Sequence, residues 1–338
     1  MTTNRMISST EVAVALLVLV GAGGIVRSQD RSQDVYVPAE AKYNSGQSLQ
    51  PAFEGWTKNA DGSYSMWFGY LNRNYKETPD IPPGPNNGFG AGGEDLGQPT
   101  HFLPRRQKFI FQVKVPADWP KDKDMVWTVN VNGTTLKAYG SLWPVWEIDE
   151  KIMSANNGGR TARLDGEPPN LAPKIAAALP DQTAVVGMPL TLTLAVSDDG
   201  MPQPSARRGG GANRAGGARG GAPDGTPAAG RGGRGGRGGD PDAFDPEADA
   251  GRTNLRVKWT QYRGAGTVTF KPAVAAVVGA DGKPVGYVSE GAAAKSIEGK
   301  ATTKVTFDKP GVYTLRGYAM DPDAFMDVKD VKVTVVGR

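Results

Sequence analysis

Apolar and polar side chains alternate over short runs along much of this chain, a period-two pattern that predicts strands. From Ser63 to Leu71, Tyr64, Met66, Phe68 and Tyr70 share one face, and Ser63, Ser65 and Trp67 the other. From Lys108 to Val115, Phe109, Phe111, Val113 and Val115 point inward and Lys108, Gln112 and Lys114 outward. In Met125 to Val131, Trp127, Val129 and Val131 share a face. Asn132-Gly133 then supplies the positive-φ pair that a two-residue hairpin needs before Thr135 to Tyr139. Apolar residues do not recur at helical spacing in this region, which favours an antiparallel sandwich or meander over an α/β arrangement.

Residues 151–169 carry Asn156-Asn157-Gly158-Gly159 and Pro168-Pro169, a composition expected of an interdomain linker. Beyond it, short β-rich runs recur at Leu190 to Val196, Leu255 to Thr260, Thr267 to Phe270, Thr302 to Phe307, Val312 to Ala319 and Val328 to Val336. Turn residues separate them, as in a second sandwich. The expected class is all-β, with two tandem antiparallel β-sandwich domains at 51–150 and 170–338. A disordered Gly/Arg-rich insertion at 203–252 interrupts the second.

Length and composition narrow the functions available. At 338 residues the chain is long enough for two domains, each with its own core. Cysteine is absent, which removes disulfides, thiolate metal sites and a cysteine nucleophile. His101 is the one histidine, so multi-histidine metal sites and most acid–base chemistry near neutral pH lose their usual side chain. GxSxG, HExxH and phosphate-binding glycine motifs are also missing, and an enzyme is not expected.

The N-terminus bears on compartment. Arg5 precedes an apolar run from Val12 to Val20, and small residues lead to Val26-Arg27-Ser28. This reads as a secretory signal over residues 1–28, followed by an extended lead-in at 29–50. As a helix, Val12 to Val26 would span roughly 22 Å at 1.5 Å per residue, short for a membrane. Cleavage after Ser28 is therefore preferred to an uncleaved anchor. The protein is expected in the periplasm or outside the cell, without a membrane span after cleavage.

The second region also carries a resemblance. Pro180-Asp181-Gln182-Thr183 leads into the first strands, Ser197-Asp198-Asp199-Gly200 follows the Leu190 run, and Trp259 precedes Gly264-Ala265-Gly266-Thr267-Val268-Thr269-Phe270. Ala301 to Phe307, Pro310-Gly311-Val312-Tyr313 and a final valine-rich strand complete the order. Over residues 170–338, inserts apart, this resembles the PKD and related immunoglobulin-like domains of exported bacterial proteins, which implies a fold and not an activity. Tyr313 stands where a tyrosine corner would enter the penultimate strand, and Trp259 where a core aromatic would pack. The first region resembles the leading module of exported bacterial proteins without assigned activity, through Phe53-Glu54-Gly55-Trp56, Asp61-Gly62-Ser63-Tyr64, Phe68-Gly69-Tyr70 and Gln98-Pro99-Thr100-His101-Phe102.

Four features invite a site. In a sandwich the loop holding Asp198 and Asp199 and the loop holding Asp321 and Asp323 fall at one end, with Asp327 nearby, and their oxygens would suit calcium. The same aspartates equally suit turns closed on their own backbone. Thr78 to Arg106 is a long loop of Pro, Gly and Asn carrying Glu94, Asp95, His101, Arg105 and Arg106; it is either an ordered packing loop or a ligand-binding one. Trp56, Trp67, Tyr75, Trp143 and Trp146 are core residues or a carbohydrate-stacking face. Trp67 is the telling one, because alternation turns it away from the expected core.

The fourth feature is the insert, with seven arginines between Arg207 and Arg237 followed by Asp240, Asp242, Asp245, Glu247 and Asp249. RGG-like tracts resemble RNA-binding tails, but export, the missing aromatics and the acidic block argue against nucleic acid. A disordered insertion, or attachment to anionic envelope polymers, remains. The sequence therefore leads to an exported, non-enzymatic binding or structural module, with an envelope protein or polysaccharide as the partner class. The alternatives are carbohydrate recognition through the first-region aromatics and a subunit of a larger envelope assembly.

Overall fold

Two pairs of β-sheets enclose two separate apolar cores, as the alternation requires. The structure is a computed structural model describing residues 42–159, 169–203, 254–288 and 293–338. The segment read as a secretory signal, the expected lead-in as far as residue 41 and nearly all of the Gly/Arg-rich insert lie outside the described residues. No described helix is long and apolar enough to cross a membrane.

The first sandwich is built from β1 (Leu49–Lys58), β2 (Tyr64–Asn72), β3 (Asn87–Phe89), β4 (Arg105–Val115), β5 (Met125–Val131) and β6 (Thr134–Gly140). Its sheets run β1-β2-β4 and β3-β5-β6, all antiparallel. Met66, Phe68 and Tyr70 are buried between them, and Phe111 stacks on Phe68 at 5.4 Å while meeting Trp127 edge-on at 5.0 Å. The hairpin after β5 turns on Asn132 (φ 52°) and Gly133 (φ 75°), both left-handed, as a two-residue turn of this type demands.

The second sandwich is built from β7 (Lys174–Ile175), β8 (Gln182–Val185), β9 (Leu190–Asp198), β10 (Arg256–Arg263), β11 (Val268–Lys271), β12 (Val274–Ala276), β13 (Ile297–Phe307), β14 (Gly311–Met320) and β15 (Met326–Val336). One sheet runs β11-β13-β9-β7 and the other β12-β10-β14-β15-β8. The opening stretch splits between the sheets, with β7 antiparallel to β9 and β8 parallel to the last strand. That order is immunoglobulin-like. The parallel β8–β15 pair departs from the expected all-antiparallel pairing, because the chain enters alongside the strand on which it leaves. Trp259 is buried, and the Tyr313 hydroxyl donates to the carbonyls of Ala265 (2.7 Å) and Lys309 (2.9 Å), forming the tyrosine corner. A Cβ at Gly264 (φ 114°) would fall 2.4 Å from the Tyr313 ring, so both backbone and packing call for glycine there.

Two expectations need correction. β4 bulges opposite Gly69, so that Phe68 faces Phe111 while Tyr70 faces Gln107. Phe109 takes a positive φ of 49° and is buried apart from the first core, against which Ile110 packs instead. The 151–169 linker begins in structure: α1 (Glu150–Asn156) is capped by Asp149, whose side chain accepts from the Ile152 amide at 2.8 Å. Thr78 to Arg106, read as either a packing or a ligand-binding loop, contains β3 and is ordered. Asn87 donates to the carbonyls of Ile81 and Pro99, both at 2.8 Å, and accepts from the Trp127 indole at 3.0 Å.

That loop holds the two sandwiches together, and residues 43–338 form one compact unit. Tyr262, at the end of β10, belongs to the first sandwich's core. Its carbonyl accepts from the amides of Thr100 (3.1 Å) and His101 (3.3 Å), and its hydroxyl donates to the Gly97 carbonyl. Arg263 pairs with Asp95 at 2.7 Å and donates to the Gln98 carbonyl, while the Gly264 amide reaches Thr100 Oγ1. Arg316 lies over the Tyr262 ring at 3.5 Å, pairs with Asp330 at 2.6 Å and donates to the Ile110 carbonyl.

Candidate functional site

Antiparallel pairing of β10 with β14 and of β13 with β9 brings the ends of β9 and β14 to one edge of the second sandwich. Asp198 closes β9 and Asp321 follows β14. Asp321 is fully buried, and Asp198, Asp323 and Asn170 nearly so. Much of their bonding is turn chemistry. Asp198 Oδ1 accepts from the Gly200 amide (2.8 Å), Asp199 Oδ1 from Met201 (2.9 Å) and Asp321 Oδ1 from Phe325 (2.9 Å). Other bonds tie in the chain entering the sandwich: Asp199 Oδ2 accepts from the Leu171 amide and Asp327 Oδ2 from Ile175. The Asn170 amide donates to Asp321 Oδ2 at 2.7 Å.

Two oxygens in this cluster stay open. Asp198 Oδ2 and Asn170 Oδ1 are buried without a hydrogen-bond partner. The Tyr287 hydroxyl lies beside Asp198, yet it too is buried without completing a hydrogen bond. Burial, then the neighbouring carboxylate of Asp199, pushes the Asp198 carboxyl up to about 6. Burial and then the charge of Asp198 push Asp321 up to about 8 against the bond from Asn170. At neutral pH the Asp198–Asp321 pair therefore retains a proton. Among the described residues, no three carboxylate or imidazole groups stand together as one metal-binding set.

Of the expected ligand-binding set, the structure brings His101 and Arg106 together and separates the others. Both line a cleft between the sandwiches. His101 is buried there, its Nδ1 at 2.7 Å from Asp80 Oδ1. Arg106 pairs with Glu54 at 2.6 Å, and burial raises the Glu54 carboxyl despite that pairing. Arg105 is placed elsewhere: it lies over the Tyr75 ring at 4.1 Å and donates to the Arg73 carbonyl, a local clamp. Trp67 is half-buried on the outer face of the β1-β2-β4 sheet, where it lines two further crevices beside the second sandwich, and its indole donates to Thr57 Oγ1 at 3.1 Å. Trp67 thus stands apart from the first core, on the side the alternation gave it, and the crevices it lines are shared with residues of the second sandwich.

The exposed aromatics lie elsewhere, beside a 3-10 turn at Pro144–Trp146. Trp143 is 60 % and Trp146 45 % exposed, with Tyr139 and Val145 also open. The turn is held firmly: the buried Trp56 indole donates to the Trp143 carbonyl at 2.9 Å, and Trp146 meets Phe53 edge-on at 5.7 Å. Lys108, Lys258 and Tyr262, which also line the interdomain cleft, carried no local sequence signal.

No family model matches the chain, and no curated protein does. Among solved structures, the eight N-terminal immunoglobulin domains of the Down syndrome cell adhesion molecule align with 86 % of this chain at 9 % identity and a TM-score of 0.22. The chain spans 27 % of that structure's length. A chimeric titin Z1Z2 aligns with 86 % of this chain and 100 % of its own, at 10 % identity and a TM-score of 0.21. A protein of unknown function from Porphyromonas gingivalis W83 aligns with 85 % of this chain and 98 % of its own, at 8 % identity and a TM-score of 0.23. The immunoglobulin-like assignment rests on the strand order described above.

Proposed function

We propose that this chain is an exported, non-enzymatic module of the bacterial periplasm or cell surface, its second sandwich of the PKD type, which holds a binding face in a fixed orientation. The observation that carries the reading is the seam at Tyr262. A residue of one sandwich completes the core of the other, and Arg263 and Arg316 bond across the join. Such a seam suits a rigid binding or structural element, not two independently swinging domains. The apolar run and small residues before Ser28 support export. Fusing the full chain ahead of alkaline phosphatase, which is active only outside the cytoplasm, tests it; an inactive, intact fusion rejects export.

The Trp143–Trp146 turn favours a polysaccharide partner as the more specific reading, since rigid exposed indoles offer faces on which sugar rings stack. Sedimentation of the full chain with purified peptidoglycan, lost in Trp143→Ala with Trp146→Ala, would support it; equal sedimentation of the double variant would reject it. The open oxygens of Asp198 and Asn170 favour calcium as a stiffening ion at the far end. Calcium titration that leaves the melting temperature and the aspartate resonances unchanged discards that proposal.

A further inference from the structure

Two large aromatic side chains belong to neither apolar core. Trp67 stands half-buried on the outer face of the β1-β2-β4 sheet, its ring orientation fixed by the indole bond to Thr57. Phe109 is buried on a left-handed backbone that bulky side chains rarely adopt. Trp67 and its cross-strand neighbour Gln112 line both crevices beside the second sandwich, which makes these the two arms of one trough with the indole between them. The arms enclose about 590 and 650 Å³, each within the range of small-molecule sites, and Phe109 lines the larger.

The polar groups along the larger arm are held in pairs. Arg263 donates to Asp95 through Nη1 and Nη2, at 2.8 and 2.7 Å, and Arg316 to Asp330 through Nε and Nη2, at 2.6 and 2.8 Å. The two carboxylate side chains remain 43 % and 40 % exposed. A carboxylate that accepts a forked guanidinium keeps further lone pairs, so each pair presents fixed acceptors beside fixed donors while its charges offset. The smaller arm carries exposed charges of both signs in Lys58, Glu147 and Glu150. Glu147 and Ile148 line it directly after Trp146, so the exposed aromatic turn leads into the trough.

We propose that the trough binds a neutral oligosaccharide, with one sugar ring flat on Trp67, its hydroxyls bonded to Gln112, and neighbouring rings bonded to the exposed carboxylates of Asp95 and Asp330. A sugar ring offers an apolar C–H face to an indole and a rim of hydroxyls that both donate and accept. That matches an aromatic floor edged by paired donors and acceptors. A purely apolar ligand would use the floor and leave the edges idle; a small ion would have to draw a guanidinium or a carboxylate from its partner. The partner class rests on the polysaccharide reading above, but the site is separate. The turn meets a glycan on the surface, and the trough holds a segment that runs past Glu147 and Ile148 between the sandwiches.

The test uses the full chain carrying 5-fluorotryptophan, its fluorine signals assigned through single phenylalanine variants. The probes are cellotetraose, tetra-N-acetylchitotetraose and, as the apolar control, benzyl alcohol. The proposal expects saturable movement of the Trp67 signal with at least one tetrasaccharide, an affinity for benzyl alcohol weaker by about tenfold or more, and an unmoved signal from Trp259 in the second core. By calorimetry, Trp67→Leu should weaken binding about tenfold, the loss of the stacked ring. Gln112→Ala, at an exposed position, should weaken it about threefold or more while keeping the native melting temperature, so a misfolded Trp67 variant does not decide the matter. The Trp67 response should persist when Trp143→Ala and Trp146→Ala are combined, which supports the trough even where sedimentation with peptidoglycan does not depend on the turn. A still Trp67 signal beside moving Trp143 and Trp146 signals would overturn this proposal and leave the polysaccharide reading standing. No saturation with either tetrasaccharide, equal affinity for benzyl alcohol, or undiminished binding by Gln112→Ala would each overturn it as well.

Discussion

The two ends of the second sandwich treat their buried polar groups in opposite ways. At the end near Tyr262 and Tyr313, buried polar groups are closed: both hydroxyls donate to carbonyls, and Arg263 and Arg316 each have a carboxylate partner and a carbonyl. At the end near Asp198 and Asp321, two carboxyls share a buried site while Asp198 Oδ2, Asn170 Oδ1 and the Tyr287 hydroxyl stay open. Closed groups stabilise the fold and respond little to solution conditions. Open ones cost stability and make that end sensitive to protons and cations.

The comparison predicts its largest effect at the closed end. Tyr262→Ala empties an aromatic position in the first core and removes the Gly97 bond along with the surface on which Arg316 rests. Truncations of buried aromatics cost roughly 3–5 kcal/mol. Urea unfolding of the full chain should show that loss, whereas Tyr262→Phe, which keeps the ring, should lose only about 1 kcal/mol. Equal costs would place the strength of the seam in the hydroxyl instead of the core.

At the open end the prediction concerns pH. Folding lifts Asp321 from the ordinary carboxylate range to about 8, so the folded state binds a proton that the unfolded chain has released. This contribution is fully present below about pH 4 and is lost as pH rises through 8, with Asp198 acting in the same direction through about 6. Between pH 5 and 8.5 the native chain should lose stability steadily, seen as a falling melting temperature. Asp321→Asn should flatten that slope. A parallel slope in the variant would show that the pair is not the titrating element.

A smaller effect is expected at the tyrosine corner. Tyr313→Phe leaves the ring packed on Phe307 at 4.9 Å and the Ala265 and Lys309 carbonyls without their shared donor. Because solvent reaches part of that corner, the cost should be about 1 kcal/mol, independent of pH between 5 and 8.5. A pH-dependent loss would blur the distinction between the two ends.

How far the sequence revealed this architecture depended on the distance over which each feature is encoded. Most strands of seven or more residues declared themselves as short apolar runs, since burying one face of a sheet fixes every second residue, but β1, whose register shifts between Phe53 and Gly55, was not read as a strand. β7, β8 and β12, with two to four residues, are too short to show a period. α1 was read as linker because one polar turn and a half has little apolar face, although Asp149 followed by Glu150 is a helix-start signal. The bulge at Phe109 inverted its neighbours' faces without a glycine to announce it. Gathering of Asp198 with Asp321 followed from sandwich topology alone, but their open oxygens did not, because these depend on where Asn170 and Tyr287 arrive. Least legible was the seam, whose contacts join residues about 165 apart; the long loop, easily taken for a ligand loop, was its only trace.

The exposed indoles give the smallest effect and the sharpest control. Trp143 has most of its surface in water, and the Trp56 bond to its carbonyl does not need its side chain. Trp143→Ala should therefore change stability by no more than about 0.5 kcal/mol, as surface substitutions usually do. Trp146→Ala should cost somewhat more, about 1 kcal/mol, because its ring meets Phe53 edge-on. If both variants keep the native melting temperature within these limits and the native pH slope, the turn is a third kind of region, neither closing the fold nor titrating with it. A large loss from Trp143→Ala would instead mean that the turn braces the β1–β6 edge of the first sandwich, and its exposure would then say nothing about a partner.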